Sequence, residues 1–316
     1  MLAVSTLDEA ISLRDSGIVA PILLLGQRHP NELTTCVELG LICTISDLTI
    51  GELLSDVAVH RGLVNPVHYK IDTGLNRFGF PWPHALGALE KLIRFPGLKL
   101  QGLYSHFAMS DEPDKTFARL QMERFSNVVS AMEPLKLQGL TKHFCNSGGF
   151  LSLPEAHLDA VRLGLLPLGV YPSLSCRRLP GIEPIMRVVS RLSLVRKLLP
   201  GDTVGYGMSY TAPHKRTIGI VPLGYGDGFP RIRNEGYVVL RGRRCPIVGG
   251  VSMDAMAIDI TDIPEAKPWD SVTIQGEDGS ECIDAHQIAK WRGSVSYETL
   301  TSWRGRLPRI YVNLNP

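Results

Sequence analysis

Short apolar runs alternate with helical patterns through the first half of the chain. LAVST (2–6), PILLLG (21–26), LICTIS (41–46), VHYKID (67–72), LQGLYSHF (100–107), KHFCNS (142–147) and AVRLGLL (160–166) read as strands. Helices are expected between them: one opened by the Thr6–Glu9 capping box and stopped near Gly17, then 31–39, a stretch ending near Gly62, 83–94 and 115–132. Strands that alternate with helices imply right-handed βαβ units and a parallel sheet. So many units in succession predict a (β/α) barrel, which closes with eight strands. Only seven are read here, and the first begins at residue 2, so a missing unit is expected upstream. A ring one strand short leaves two unpaired edges, which predicts poor solubility.

After about residue 183 the pattern changes. MRVVSRLSLVRKL, RTIGIVPLG, GYVVLRG, RCPIVGG, AMAIDI and DSVTIQG are strand-like and are separated by Gly, Pro and Asp, with one helix expected at 283–291. The expected organisation is a barrel domain over 1–183 and a mostly β domain over 184–316.

Composition narrows the class. The chain has 316 residues, 44% hydrophobic and 20% charged, ordinary for a globular protein. Its 33 basic and 31 acidic residues give a net charge of +2. Arg241, Arg243 and Arg244 cluster in a strand-like stretch and read as a solvated face, so nucleic acid is not the expected partner. Six cysteines form no CxxC pair and read as reduced thiols of a cytoplasmic protein. The opening MLAVSTLDEA lacks the basic region of a signal peptide, and no apolar run reaches the ~18 residues of a membrane span.

In a barrel, chemistry gathers at the C-terminal strand ends. The fourth strand ends in Lys70 and Asp72, with Arg77 just beyond, the fifth in Tyr104-Ser105-His106 and the sixth in Asn146-Ser147-Gly148-Gly149; the seventh carries Arg162 and Gly164. Hydroxyls, glycines and free amides there could cradle a phosphate. Lys70 reads equally well as a lysine reaching water, His106 as a satisfied core histidine, and NSGG as an ordinary turn. Arg162 is harder to dismiss, because a guanidinium in a strand buried on both faces needs a partner. In the second domain, 205–210, 224–228 and 249–254 are Gly-dense loops that read as tight turns or as site loops.

Taken in order, these motifs resemble the alanine racemase family from Leu2 to Tyr311. VHYKIDTGLNRFGF, SHFAMSDEPD, HFCNSGG, AVRLGLLPLGVYPS, VGYGMSYTA, VPLGYGDGFPR, PIVGGVSMDAMAIDI and RLPRIY carry the resemblance. It implies a fold-type III, pyridoxal 5'-phosphate-dependent enzyme that interconverts L- and D-alanine and supplies D-alanine for peptidoglycan. Serine is an alternative substrate that the sequence does not separate from alanine. The cofactor acts as an electron sink while two bases move the α-proton. Tyr210 matches one base, a tyrosine that the partner subunit donates in a homodimer. A free phenol has a pKa near ~10 and needs help to act as a base; His106 and Arg162 match the residues around it. Arg162 also matches the arginine on the pyridine nitrogen, and Ser147, Gly164 and Leu165 match phosphate contacts. Arg77 matches the arginine facing the substrate carboxylate, and Lys70 a lysine that positions it and is carbamylated in many relatives. Met253 and Tyr225 match substrate-side positions. No metal is implied.

One departure stands out. The other base is a lysine that carries the cofactor, in a motif like KANAYGHG, and this sequence does not contain it. Gly305 stands where relatives often have a tyrosine. Three explanations are a start placed too far downstream or a fragment, a decayed gene, or a homologue that binds small molecules or dimerises without turnover. The retained Tyr210, Arg162, His106 and Arg77 favour the first.

Overall fold

The computed structural model describes residues 1–312. It divides into two compact units, Met1–Gly164 with Ser173–Arg178, and Leu165–Pro172 with Leu179 onward.

In the first unit, β1 (Leu2–Val4), β2 (Ile22–Leu24), β3 (Ile42–Ile45), β4 (Asn65–Asp72), β6 (Leu98–Tyr104) and β7 (Thr141–His143) pair in that spatial order, all parallel, with β5 (Phe80–Pro81) added to the end of β4. The helices between them are α1 (Leu7–Asp15), α2 (Leu33–Glu38), α3 (Leu48–His60), α4 (Ala85–Leu92) and α5 (Thr116–Ala131), with α6 (Ser147–Ser152) after β7. Local chemistry sets their ends. The Thr6 side chain accepts the Glu9 N–H while the Glu9 carboxylate takes the Thr6 N–H, and Asp47 caps α3 through the Ile50 N–H. The core lies between sheet and helices: Ile22, Leu24, Cys43, Ile45, Val67, Tyr69, Ile71 and Leu103 meet Leu33, Leu54, Ala58, Leu89, Phe125 and Val128.

The sheet is a parallel half-barrel, not a closed ring, and its seventh strand is weaker than expected. Of AVRLGLL only Ala160 bridges, to His143, while the Arg162 N–H reaches the Cys145 carbonyl at 2.8 Å. The run then turns as a single 3-10 turn over Leu166–Leu168. Pro167 in that turn has no N–H to continue a ladder.

The second unit holds an eight-stranded antiparallel sheet. Its strands are β8 (Val188–Arg191), β9 (Leu194–Leu198), β12 (Arg216–Val221), β13 (Tyr237–Leu240), β14 (Arg243–Val248), β15 (Met256–Asp259), β16 (Ser271–Asp278) and β17 (Glu281–Ile283). The order is β17-β16-β13-β14-β15-β12-β9, with β8 on β16. β10 (Thr203–Val204) and β11 (Tyr210–Thr211) form a separate antiparallel pair. Two helices follow, α7 (Ala285–Arg292) at the expected place and α8 (Ser296–Ser302), which the sequence pattern did not suggest. Arg241 pairs with Asp270 and Arg244 with Glu281 on the surface, as a solvated basic face should. All six cysteines are free. Among the described residues no helix is long and apolar enough to cross a membrane.

Candidate active site

The C-terminal ends of β4, β6 and β7 converge on Arg162. Its guanidinium is half-buried and acts as a donor only. Nη1 donates to His143 Nδ1 at 2.7 Å, and Nη2 donates to the Ser105 and Phe144 carbonyls at 2.7 and 3.1 Å and to His106 Nδ1 at 3.1 Å. Among the described residues these bonds leave Nε without a partner.

Because arginine can only donate, the histidine tautomers follow. His143 and His106 each accept at Nδ1, so their protons sit on Nε2. His143 Nε2–H then donates to His68 Nδ1 at 2.8 Å, which puts the His68 proton on its own Nε2. The result is a directed chain, Arg162 to His143 to His68. Protonating any of these rings would place a donor against a donor. Burial, reinforced by the Arg162 charge, holds His68 down at about 4 and His106 at about 3, and burial with Arg162 and His68 holds His143 at about 2. All three are neutral imidazoles at physiological pH. Burial also lowers Arg162 to about 10, which leaves it a cation at neutral pH.

Tyr104 covers this chain. Its ring stacks on His143 at 4.7 Å, 7° from parallel, with the Arg162 Cζ 5.0 Å from its centroid. Its hydroxyl donates to the Leu25 carbonyl at 3.1 Å and lies 2.7 Å from Thr44 Oγ1, so Thr44 is the donor of that pair. His68 has room only because residue 102 is glycine, where a Cβ would fall 2.7 Å from the imidazole.

Lys70, on β4, is 4% exposed. Its ammonium lies 5.1 Å from the Tyr104 ring centroid and 5.5 Å from that of Phe78, and it makes no ion pair among the described residues. Burial, then repulsion from Arg77 and Arg162, lowers it to about 8. Arg77 itself is exposed on the loop after β4. That loop is shaped by Asp72, whose Oδ1 accepts the Gly74, Leu75 and Asn76 N–H groups at 2.8–3.1 Å, and by Arg124, which donates to the Thr73 carbonyl at 2.8 Å. Gln121, buried on α5, ties it to the β6 end: Nε2 donates to Thr73 Oγ1 and the His106 carbonyl, and Oε1 accepts the Ala108 N–H.

NSGG opens α6. Asn146 Oδ1 caps the helix by accepting the Gly149 N–H at 2.9 Å, and Ser147 Oγ accepts the Gly164 N–H at 3.2 Å. Ser147 is buried. Leu165 belongs to the second unit, where it packs with Val170 and Ala285.

The other candidates also lie in that unit. Tyr210, half-buried on β11 opposite Val204, packs against Ile218, Val248 and Ala257. Tyr225 and Met253 sit on adjoining loops: the Tyr225 N–H donates to the Ser252 carbonyl at 3.1 Å and the Gly226 N–H to the Met253 carbonyl at 2.8 Å. Met253 is 51% exposed. Gly305 has open space where a side chain would start.

The structure brings the predicted Arg162, His106 and Lys70 together around Tyr104 and His143, leaves Arg77 exposed on its loop, and adds His68, His143 and Gln121, which the sequence reading did not single out. A histidine on an apolar parallel strand was the available signal for the first two. Gln121 gave none, because a buried amide on an amphipathic helix looks like any surface glutamine.

Residues 1–172 match the family model described as alanine racemase, N-terminal domain, and residues 185–311 the alanine racemase C-terminal domain. The alanine racemase of Desulfosudis oleivorans is 36% identical over 323 residues, covering 99% of this chain and 83% of its own. The solved alanine racemase of Clostridium difficile aligns with a TM-score of 0.93 at 30% identity, covering 100% of this chain and 82% of its own. That of Bacillus anthracis, with bound L-Ala-P, aligns at 0.91 and 31%, covering 99% and 81%. A parallel half-barrel followed by an antiparallel β domain, matched along nearly its whole length by these proteins, places the chain among the amino-acid racemases, which are isomerases. The chain belongs to the alanine racemase family.

Proposed function

We propose that this chain interconverts L- and D-alanine with pyridoxal 5'-phosphate, as a cytoplasmic homodimer with shared sites whose D-alanine feeds peptidoglycan. The observation that carries the proposal is Arg162: a cation fixed by four acceptors at the strand ends, its Nε–H without a partner among the described residues, in a chain of this family. The residues present fit the cofactor. Arg162 would hold the pyridine nitrogen as an acceptor, and Ser147 with the backbone of Gly164 and Leu165 would hold the phosphate. Bound there, the cofactor supplies an electron sink for the α-carbon.

The chain's own residues then have distinct tasks. Arg162 remains a cation at neutral pH, so it disfavours a second positive charge on the ring nitrogen and moderates the sink. The directed chain through His143 and His68 keeps the guanidinium from swinging away. Arg77 binds the alanine carboxylate from a loop pinned by Asp72, Arg124 and Gln121. Lys70, lowered to about 8 by burial and still mostly a cation at neutral pH, positions Arg77, and its minor neutral form is the one that takes up carbon dioxide as a carbamate. Tyr210 of the partner subunit moves the α-proton on one face, helped by the neutral His106 beside Arg162. Tyr225 and Met253, also from the partner, close the substrate side and exclude water. The base on the second face is a lysine in relatives, in a motif that these 316 residues do not contain, and no residue here is assigned that task.

The test is turnover in deuterium oxide with the cofactor added. L-alanine should take up α-deuterium on the face that Tyr210 serves, and Tyr210→Phe should abolish that exchange while leaving the melting temperature unchanged. Absence of both D-alanine and α-deuterium with the unsubstituted chain overturns the proposal.

A further inference from the structure

We infer that Arg306 is a positioning residue that sets the loops carrying Tyr225 and Met253; the inference rests on the substrate-side roles proposed for those two residues. One guanidinium is shared between two carboxylates, one from each loop. Arg306 Nε lies 3.2 Å from Asp227 Oδ1, and Nη2 lies 2.6 Å from Asp254 Oδ1. Asp227 is two residues from Tyr225, and Asp254 directly follows Met253.

The loops themselves are built to receive this clamp. Asp227 is 5% exposed and its Oδ2 accepts the Gly224 N–H at 2.9 Å, so one carboxylate closes its own loop and binds the guanidinium. A Cβ on residue 226 would fall 2.5 Å from Arg306 Nη1 and 2.9 Å from the Met253 carbonyl, so glycine there leaves both in their present positions. A Cβ on residue 224 would fall 2.2 Å from the Ser252 carbonyl and 2.5 Å from that of Met253. The Arg304 N–H, donating to the Asp227 carbonyl at 3.0 Å, fixes the segment from which Arg306 reaches over.

A role in bulk stability does not account for this arrangement. Arg306 is 51% exposed and Asp254 65%, and ion pairs that open to water stabilise little. What a planar fork does well is fix the relative position of two acceptors, which a lysine ammonium does less well. Met253 is half-exposed and depends on its neighbours for its position. Arg306 therefore acts on substrate through Tyr225 and Met253 and touches neither substrate nor cofactor in this assignment.

The experiment compares the full chain with Arg306→Ala and Arg306→Lys, reading hydrogen exchange of 224–228 and 252–255 and affinity for N-phosphopyridoxyl-L-alanine, a reduced adduct whose binding needs no lysine. Arg306→Ala should speed exchange in both loops about tenfold while β12 and β15 exchange as before, because only a local opening is made easier. It should weaken adduct binding about tenfold, and Arg306→Lys should recover part of both effects. Unchanged loop exchange, or unchanged affinity despite loosened loops, overturns the inference. Should Arg306→Ala loosen the whole β domain, Asp254→Asn is judged by the same criteria. A wild-type chain that does not bind the adduct overturns the proposed function itself; one that binds it as tightly as Arg306→Ala does overturns only the role of Arg306.

Discussion

Lowering the pH from 7 to 5 should destabilise the half-barrel through three imidazoles. His68, His143 and His106 are held neutral, at about 4, about 2 and about 3, by burial and by the donor Arg162. In the unfolded chain they titrate near ~6.5. Between those limits the unfolded state binds protons that the native state refuses, so stability is present in full above pH 6.5 and is lost as the pH falls below it. Summed from pH 7 to pH 5, each histidine removes about 2 kcal/mol, and the three together about 6 kcal/mol. Ordinary carboxylates titrate near ~4 and contribute little in this window. The assay is a urea titration at pH 7, 6 and 5, with unfolding read by hydrogen-exchange labelling of peptides over β4 and β7. His68→Asn should cut the loss by about a third, because one of three titrating imidazoles is gone. A half-barrel equally stable at pH 7 and pH 5, or a pH dependence that His68→Asn leaves intact, refutes the directed chain from Arg162.

Three other outcomes follow from the same geometry. Gly102→Ala drives a methyl into the His68 ring and should destabilise the half-barrel by about 1–3 kcal/mol in urea unfolding, the usual cost of overpacking. Lys70→Met should raise the melting temperature, since lowering that amine from 10.5 to about 8 costs the fold about 3 kcal/mol at neutral pH, yet it should weaken alanine binding by freeing Arg77. Gln121→Leu should speed hydrogen exchange at Ala108 by removing its acceptor, while the Asn146 cap of α6 stays intact.

The division into a parallel and an antiparallel part was legible because strand period and helix period differ, and β4 lies within two residues and β6 within three of where alternation places them. The capping box at Thr6 was readable to the atom. AVRLGLL misled because its apolar run counts as a strand by pattern, while Pro167 and the turn after Gly164 end the ladder at Ala160. The histidine chain was hidden for a different reason. His68 and His143 are 75 residues apart, and only the pairing of β4, β6 and β7 brings their rings together. Helix α8 escaped because its YETLTS run carries too few apolar residues to show a period. Arg162, by contrast, announced itself: a guanidinium in an apolar run demands acceptors, and it has four.

The most direct test of the account is the protonation state of the cofactor's ring nitrogen. N-phosphopyridoxyl-L-alanine labelled with nitrogen-15 in the ring, bound to this chain and observed by NMR at pH 6, should show an unprotonated nitrogen held by Arg162, and Arg162→Glu should turn it to the protonated form. A protonated ring nitrogen in the unsubstituted chain would contradict the assignment on which the proposed function rests.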